Sequence, residues 1–183
     1  MKPIGFIKHR KKRNLSFNPT ARGNYNANTK LLIAGDLVDG DSTMNVINPA
    51  TEESYCQVAR ASVAQLNQAV SAAKSAQPKW AEKSYAERGE VLNAFADGID
   101  ARSVELATAL TKEQGKPLAE STMEVAYTAG FFRYFAAQEL TDSVLEDGEE
   151  RKVIQRRKSL GVIAAIIPWN FPFLIAAFKL PAA

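Results

Sequence analysis

The chain has few of the residues with which proteins build disulfides and metal sites. Among 183 residues there is one cysteine, Cys56, and one histidine, His9. A single cysteine excludes an intrachain disulfide, so a reducing compartment such as the cytoplasm is the expected location. No pair of His or Cys residues has metal-ligand spacing, so we expect no metal. Cys56 lies in a short strand-like run without a neighbouring histidine, which favours a structural role over a nucleophilic one.

Acidic residues are absent from residues 1–30, although this segment holds eight of the 23 basic residues. The rest of the chain has more acidic than basic residues, so the net charge of +3 comes from this segment. It has no apolar run long enough for a secretory signal. A transit peptide for organellar import, an arm that contacts nucleic acid and an incorrectly assigned translation start are alternatives. A disordered extension without function is the leading interpretation, and no nucleic-acid partner is expected.

Charged residues are also absent from Leu160 to Phe178. This run is about as long as a membrane-spanning helix, which needs roughly 20 residues. However, Pro168, Asn170 and Pro172 fall in its middle, where they would remove backbone hydrogen bonds and bury an amide in hydrocarbon. We therefore expect no membrane-spanning helix here.

Glycines are spaced too widely for the usual dinucleotide-binding fingerprint. No two of the ten glycines are separated by a single residue, so the pattern Gly-x-Gly-x-x-Gly does not occur. Any cofactor site must therefore use other residues.

Turn and capping signals predict a hairpin followed by helices. The run Leu31–Val38 is typical of a hairpin around Gly35-Asp36, and Asn48-Pro49 begins a turn. The predicted helices run from the capping boxes at Ser62 and Ser84 to about Ala76 and Ala101, from near Ser103 to Gln114, and from about Leu118 to Leu140. Gly115 and Pro117 end the third of these helices. Val125, Phe132 and Phe135 are apolar residues at helical spacing in the fourth.

The stretch Val162–Ile167 reads Val-Ile-Ala-Ala-Ile-Ile, which is typical of a strand buried on both faces of a parallel sheet. Pro168 and Pro172 bracket the next three residues and restrict the backbone on both sides, so a rigid turn is predicted at the carboxyl end of this strand. Open α/β sheets bind ligands at that end. A neutral Asn170 amide there is suited to donate to a developing oxyanion. From the residues alone, an alternative stays open in which Trp169 and Phe171 are core aromatics and Asn170 stabilises the turn.

The hexapeptide Ile167-Pro168-Trp169-Asn170-Phe171-Pro172 resembles a signature of the NAD(P)-dependent aldehyde dehydrogenase superfamily. Three further blocks are similar to this family in the same order: the opening hairpin, the turn Asn48–Thr51 and the block Glu113–Pro117. The family usually has glycine where this chain has Glu52, which makes the local turn type uncertain. The resemblance runs from about Leu31 to Ala183.

The resemblance implies oxidation of an aldehyde to an acid with NAD or NADP as cofactor, through a cysteine thiohemiacetal. Asn170 matches the oxyanion donor of the family, and Lys179 matches a buried lysine linked to a proton-relay glutamate. Ile167, Pro168, Trp169 and Asn170 match the wall beside the nicotinamide half of the cofactor. Phe171 and Phe178 are expected in the substrate pocket. Phe178 stands where semialdehyde-specific members keep arginine, which favours an uncharged or apolar aldehyde.

The resemblance further implies an α/β fold, namely a helical N-terminal layer plus the first strand of a Rossmann-like cofactor-binding domain. Its expected parts are an extension over 1–30, a hairpin and helical part over 31–140, an oligomerisation strand over 141–159, and the start of the sheet with the catalytic turn over 160–183. The exposed strand Arg151–Lys158 would form a homodimer or tetramer; a solvated charged linker is the alternative. The nucleophilic cysteine and the general base are expected outside this chain, which would then be inactive alone. A non-catalytic, truncated interaction module is the competing function.

Overall fold

The computed structural model describes residues 29–183, so the predictions for residues 1–28 lie outside the described part. Within residues 29–183, three two-stranded antiparallel hairpins and five helices follow one another. The strands are β1 (Leu31–Ile33), β2 (Asp36–Val38), β3 (Ser42–Asn48), β4 (Glu53–Arg60), β5 (Ser143–Asp147) and β6 (Lys152–Gln155). The helices are α1 (Val63–Ala81), α2 (Tyr85–Ala101), α3 (Ser103–Gln114), α4 (Leu118–Ala136) and α5 (Pro172–Lys179). None of the helices in this part of the chain is long and apolar enough to cross a membrane.

The helix starts agree with the sequence-based predictions. Ser62 and Ser84 each accept a hydrogen bond from the backbone N–H three residues later, and the side chains of Gln65 and Glu87 bond back to them. Helix α1 extends past the predicted Ala76 to Ala81, with Pro78 in its last turns, where the missing N–H costs only one bond. Helix α4 ends at Ala136 rather than Leu140, because the chain tightens there into a bond from the Gln138 N–H to the Phe135 carbonyl.

Helix α4 is the centre of the packing, with α2, α3 and α5 against it. Its buried residues recur at helical spacing and are Ser121, Glu124, Val125, Thr128, Ala129 and Phe132. Small residues allow close approach: a Cβ on Gly89 of α2 would lie 2.5 Å from the Ala136 carbonyl oxygen of α4. Phe95 of α2 stacks on Phe132 at 5.7 Å between ring centroids. The core is therefore a helical layer, as predicted.

The predicted hairpin at the start of the chain is present as β1 and β2. Its two turn residues are Ala34 and Gly35, one position earlier than expected, and both have positive φ, 55° and 87°. This is the geometry of a two-residue hairpin turn with two left-handed residues.

The strand predicted over Val162–Ile167 is not formed within residues 29–183. None of these residues pairs with another strand, and Ile166 is 82% exposed. A parallel strand needs neighbours on its hydrogen-bonding edges, and the described residues supply none. The apolar, β-branched character of the run remains, but its burial does not follow from this part of the chain.

The turn between β3 and β4 contains Glu52, which stands where the resemblance leads us to expect glycine. Asn48 accepts backbone hydrogen bonds from Thr51 at 3.2 Å and Glu52 at 2.8 Å, and its side-chain oxygen accepts from the Ala50 N–H at 3.0 Å. Glu52 has a φ of 59°, in the left-handed region that favours glycine. Glu52 therefore adopts the left-handed backbone conformation that a glycine would adopt without strain.

We expect Glu52→Gly to stabilise the protein by about 0.5–1 kcal/mol, because it relieves this left-handed strain at the expense of some unfolded-state entropy. The measurement is the free energy of unfolding by urea denaturation. Glu53→Gly is the control: its residue lies in β4, where glycine is unfavourable, and it should destabilise. A lower free energy of unfolding for Glu52→Gly than for the parent would show that the left-handed conformation of Glu52 is not strained.

Gly115 ends α3 with a φ of 74°, and a Cβ there would lie 2.8 Å from Cγ of Pro49. Gly115→Ala should therefore destabilise the protein by about 1–2 kcal/mol from the backbone alone, and more if Pro49 cannot move. Gly98→Ala is the matched control, since Gly98 lies in α2 with nothing within 4 Å of the added Cβ. That change should stabilise by about 1 kcal/mol. Thermal melts of both variants measure the difference, and two shifts of the same sign would refute it.

Candidate active site

The turn Pro168–Phe171 lies on the surface immediately before α5. Trp169 is 86% exposed and Asn170 is also exposed. Pro172 is the first residue of α5, the helical position that proline favours, and Phe171 occupies the N-cap position without a capping side chain. Within residues 29–183 nothing covers Trp169, so this part of the chain gives no support to the alternative in which Trp169 is a core aromatic.

Lys116, which lies between α3 and α4, binds this turn through its ammonium group. Its Nζ lies 2.5 Å from Oε2 of Glu124 and 3.1 Å from the backbone carbonyl oxygen of Asn170. The same Nζ lies over the Phe171 ring, 4.0 Å from its centroid. An ammonium group has three protons, and here it has three partners: a carboxylate, a carbonyl and an aromatic face.

Glu124 supplies the cap that α5 lacks. Its Oε1 accepts hydrogen bonds from the backbone N–H groups of Phe173 at 3.0 Å and Leu174 at 3.2 Å. The Glu124 side chain is fully buried, and that of Lys116 is only 12% exposed. A carboxylate at a helix N-terminus meets unpaired N–H groups and the positive end of the helix dipole, so both oxygens of Glu124 have charged or polar partners.

The end of α3 makes a second contact with the turn. The side-chain amide of Gln114 donates to the backbone carbonyl of Trp169, while Gln114 Oε1 is buried without a partner within residues 29–183. Glu113 accepts a hydrogen bond from the Tyr55 hydroxyl at 3.1 Å, which ties α3 to β4. Burial, with smaller contributions from Cys56 and Glu113, raises the pKa of Tyr55, so this hydroxyl stays protonated. The block Glu113–Lys116 therefore packs elements together.

Phe178 and Lys179 lie at the other end of α5 from Asn170. A helix of eight residues is about 12 Å long, so these two residues are not brought into contact with the turn by α5 itself. The Phe178 ring packs edge-on against Phe131 of α4, with centroids 4.6 Å apart. Lys179 is half-buried, and no ion pair within residues 29–183 involves it. Its relay glutamate stays a prediction.

Cys56 lies in β4, paired opposite Val46 of β3, and is half-buried. A bulge at Val46/Ile47 leaves Tyr55 as the extra residue beside it. Nothing in the described part of the chain joins its thiol to the turn by hydrogen bond or ion pair. The strand that the sequence predicted around Cys56 is confirmed.

The structure brings together the predicted residues Ile167 to Phe171, and it adds Gln114, Lys116 and Glu124, which sequence reasoning did not assign to the site. One signal was available: Glu124 stands beside Val125 on the buried face of a predicted helix. A charged residue on such a face is almost never buried without a partner.

A sequence model of the aldehyde dehydrogenase family matches residues 37–183. A probable aldehyde dehydrogenase of Mycobacterium tuberculosis is 38% identical over 138 residues, covering 74% of this chain and 27% of the relative. The 3,6-anhydro-alpha-L-galactose dehydrogenase of Streptomyces coelicolor is 36% identical over 155 residues, covering 82% and 32%. The chain thus spans about a third of the length of the relatives it matches.

Solved structures agree with these sequence matches. An aldehyde dehydrogenase from Bacillus cereus has a TM-score of 0.82 at 30% identity, covering 92% of this chain and 36% of that protein. The structure of PnpE in complex with nicotinamide adenine dinucleotide has a TM-score of 0.77 at 35% identity, covering 84% and 32%. The chain therefore has the backbone arrangement of one third of these proteins.

The exposure of Trp169 gives a spectroscopic prediction, because the chain has only one other tryptophan, the half-buried Trp80. In Trp80→Phe, the remaining Trp169 should emit at the wavelength of an indole in water and be quenched readily by acrylamide. In Trp169→Phe, the remaining Trp80 should emit at shorter wavelength and resist quenching. Shielded emission from Trp80→Phe would contradict the surface position of the turn.

Proposed function

The chain belongs to the aldehyde dehydrogenase family, and from this premise we propose that it is the N-terminal part of an enzyme that oxidises an aldehyde to a carboxylic acid with NAD or NADP. The family match over residues 37–183 supports this proposal, as does the nicotinamide dinucleotide in the complex of PnpE. A non-catalytic interaction module is not favoured, because the match over residues 37–183 includes the hexapeptide Ile167–Pro172.

In the proposed reaction, a cysteine thiolate adds to the aldehyde carbon and the carbonyl oxygen becomes an oxyanion. NAD or NADP supplies the acceptor for the hydride that leaves this carbon. Water then hydrolyses the resulting thioester to the acid, with a glutamate as the base. We assign the nucleophile and the base to the two thirds of the relatives that this chain does not match, since Cys56 lies in the β3–β4 hairpin and no general base is bonded to it within residues 29–183.

The observation that carries the proposal is the state of the Asn170 side chain. Lys116 binds the backbone carbonyl of Asn170, but the Asn170 side-chain amide makes no hydrogen bond within residues 29–183. Both amide protons are therefore available to a developing oxyanion, and the amide cannot lose a proton in doing so. The turn that carries it is held by two side chains, Gln114 and Lys116.

The surface around this turn suits a planar cofactor ring. Ile167 is 37% exposed, Trp169 is 86% exposed and Pro168 is exposed between them, so apolar surface borders Asn170 in this part of the chain. A nicotinamide ring lying against such a face would lose contact with water, which favours binding. The residues present therefore fit the cofactor that the family implies.

Phe171 and Phe178 support an uncharged or apolar aldehyde as substrate. Phe178 is 45% exposed on one side and packs on Phe131 on the other, and Phe171 is 44% exposed. Neither ring offers a positive group to a substrate carboxylate. We assign Lys179 to the proton relay at the far end of α5, with a glutamate from outside the described residues as its partner.

The β5–β6 hairpin supports self-association into a dimer or tetramer. Among the described strands, β5 and β6 pair only with each other, and the hairpin exposes Val144, Leu145, Val153 and Ile154. Exposed strand edges with apolar side chains favour pairing with another chain. Ion pairs such as Arg151 with Glu146 at 2.7 Å stabilise the hairpin locally.

The decisive experiment replaces the matching third of the Streptomyces coelicolor relative with residues 29–183 and measures NADH or NADPH formation on a panel of aldehydes. In an active chimaera, Asn170→Ala should lower kcat by about 10²–10³-fold with a smaller effect on KM, because it removes one oxyanion donor.

Asn93→Ala is the control, since Asn93 is an exposed residue in α2 and should leave kcat unchanged. A folded Asn170→Ala variant with unchanged kcat would remove Asn170 from catalysis. A folded chimaera that oxidises none of the aldehydes would count against the proposed activity itself.

A further inference from the structure

We propose that Lys116 and Glu124 act as a positioning pair that sets the orientation of Asn170 for catalysis. The inference rests on the proposed role of Asn170. It assigns to Lys116 and Glu124 the contacts that fix the orientation of the Asn170 side chain relative to the helices. Neither residue touches the reacting atoms, so their effect is exerted through the backbone of the turn.

Lys116 fixes the C-terminal side of Asn170. Its ammonium group binds the Asn170 carbonyl at 3.1 Å and the face of the next side chain, Phe171, at 4.0 Å. These two contacts hold the peptide plane between residues 170 and 171, because the carbonyl and the neighbouring ring cannot rotate independently of the ammonium group. With this plane held, the Asn170 side chain has few directions in which to point its amide.

Glu124 fixes the helix that follows. Its Oε1 accepts from the N–H groups of Phe173 and Leu174 in the first turn of α5, and its Oε2 binds Lys116 at 2.5 Å. One carboxylate therefore connects the helix after Asn170 with the ammonium group that binds Asn170. Because Glu124 lies on the buried face of α4, its hydrogen bonds fix the position of the turn relative to α4, the most buried helix of this part of the chain.

Stability alone does not account for a buried ion pair here. Removing a lysine and a glutamate from water is costly, and replacing such a pair with apolar residues of similar volume is often neutral or stabilising. An apolar pair would fill the same space but would not bind the Asn170 carbonyl or the α5 amides. The polar pair thus fixes the orientation of the Asn170 carbonyl and the α5 amides through hydrogen bonds, which apolar packing cannot do.

This difference separates a positioning role from a structural one. In the double variant Lys116→Met/Glu124→Leu, the pocket stays filled with apolar atoms, so Tm should fall only by the several degrees that the lost cap of α5 costs. In the active chimaera, kcat should fall by about 10–10²-fold, because a small misplacement of a catalytic group is costly, while KM changes little. Each single variant, which leaves one buried charge unpaired, should instead lose Tm strongly.

The matched control is Lys30→Met/Asp39→Leu, which removes an exposed lysine–carboxylate pair of 2.9 Å outside the site. It should leave both Tm and kcat unchanged. If the Leu-containing double variant fails to fold, Lys116→Met/Glu124→Gln replaces it, since a glutamine oxygen can still accept from the α5 amides while the turn loses Lys116.

A second measurement uses the 183-residue chain itself and does not need activity. Amide hydrogen exchange at Phe173 and Leu174, and NMR relaxation of the Asn170 side-chain amide, should both report greater mobility in the double variant than in the parent and the control. Unchanged exchange and relaxation, or an unchanged kcat in an active chimaera, would overturn the inference. If the parent chimaera shows no turnover, the proposed activity fails, and the NMR measurements still decide whether the pair holds Asn170.

Discussion

A single buried carboxylate, that of Glu124, is the contact on which the arrangement of the turn Pro168–Phe171 depends. It leaves α4 and meets two different partners, the ammonium group of Lys116 and the unpaired amides at the start of α5. Without it, α5 would have no cap, because its own N-cap residue is Phe171. A buried charge is unfavourable unless every lone pair has a partner, so this carboxylate constrains both partners strongly. The turn Pro168–Phe171, which Lys116 binds and which leads into α5, is therefore held in place as well.

The surrounding scaffold serves the same contact. Helix α4 is held by α2 and α3 through small side chains that permit close approach, such as Gly89 and Ala129. The left-handed Gly115 ends α3, and the next residue, Lys116, reaches Glu124 of α4. Since Pro49 occupies the space in which a side chain at Gly115 would lie, the β3–β4 turn packs against this glycine. The position of the Lys116 ammonium group, which binds the Asn170 carbonyl, therefore depends on the packing of the β3–β4 turn against Gly115.

The apolar run before the turn behaves differently from the rest of the chain. Val162–Ile167 has the composition of a buried parallel strand, yet Ile166 is 82% exposed and nothing pairs with it within residues 29–183. The chain matches about a third of the length of such a relative. A strand is a property of its neighbours as much as of its own residues, since its backbone groups bond outside the segment. A helix such as α4 bonds within itself and therefore forms from this part of the chain alone.

Local signals in the sequence determined the elements whose hydrogen bonds are local. Ser62 and Ser84 begin two helices, Gly115 ends another, and the prolines around Trp169-Asn170-Phe171 mark the turn and the start of α5. The family and the candidate oxyanion donor could be recognised from the same short blocks. Only the tertiary structure decided that Lys116 and Glu124 meet beneath Asn170, because these residues belong to separate elements and their contact needs α4 and α5 to pack. Periodicity could place Glu124 on a buried face, but the partner that makes its burial possible appears only when the chain has folded.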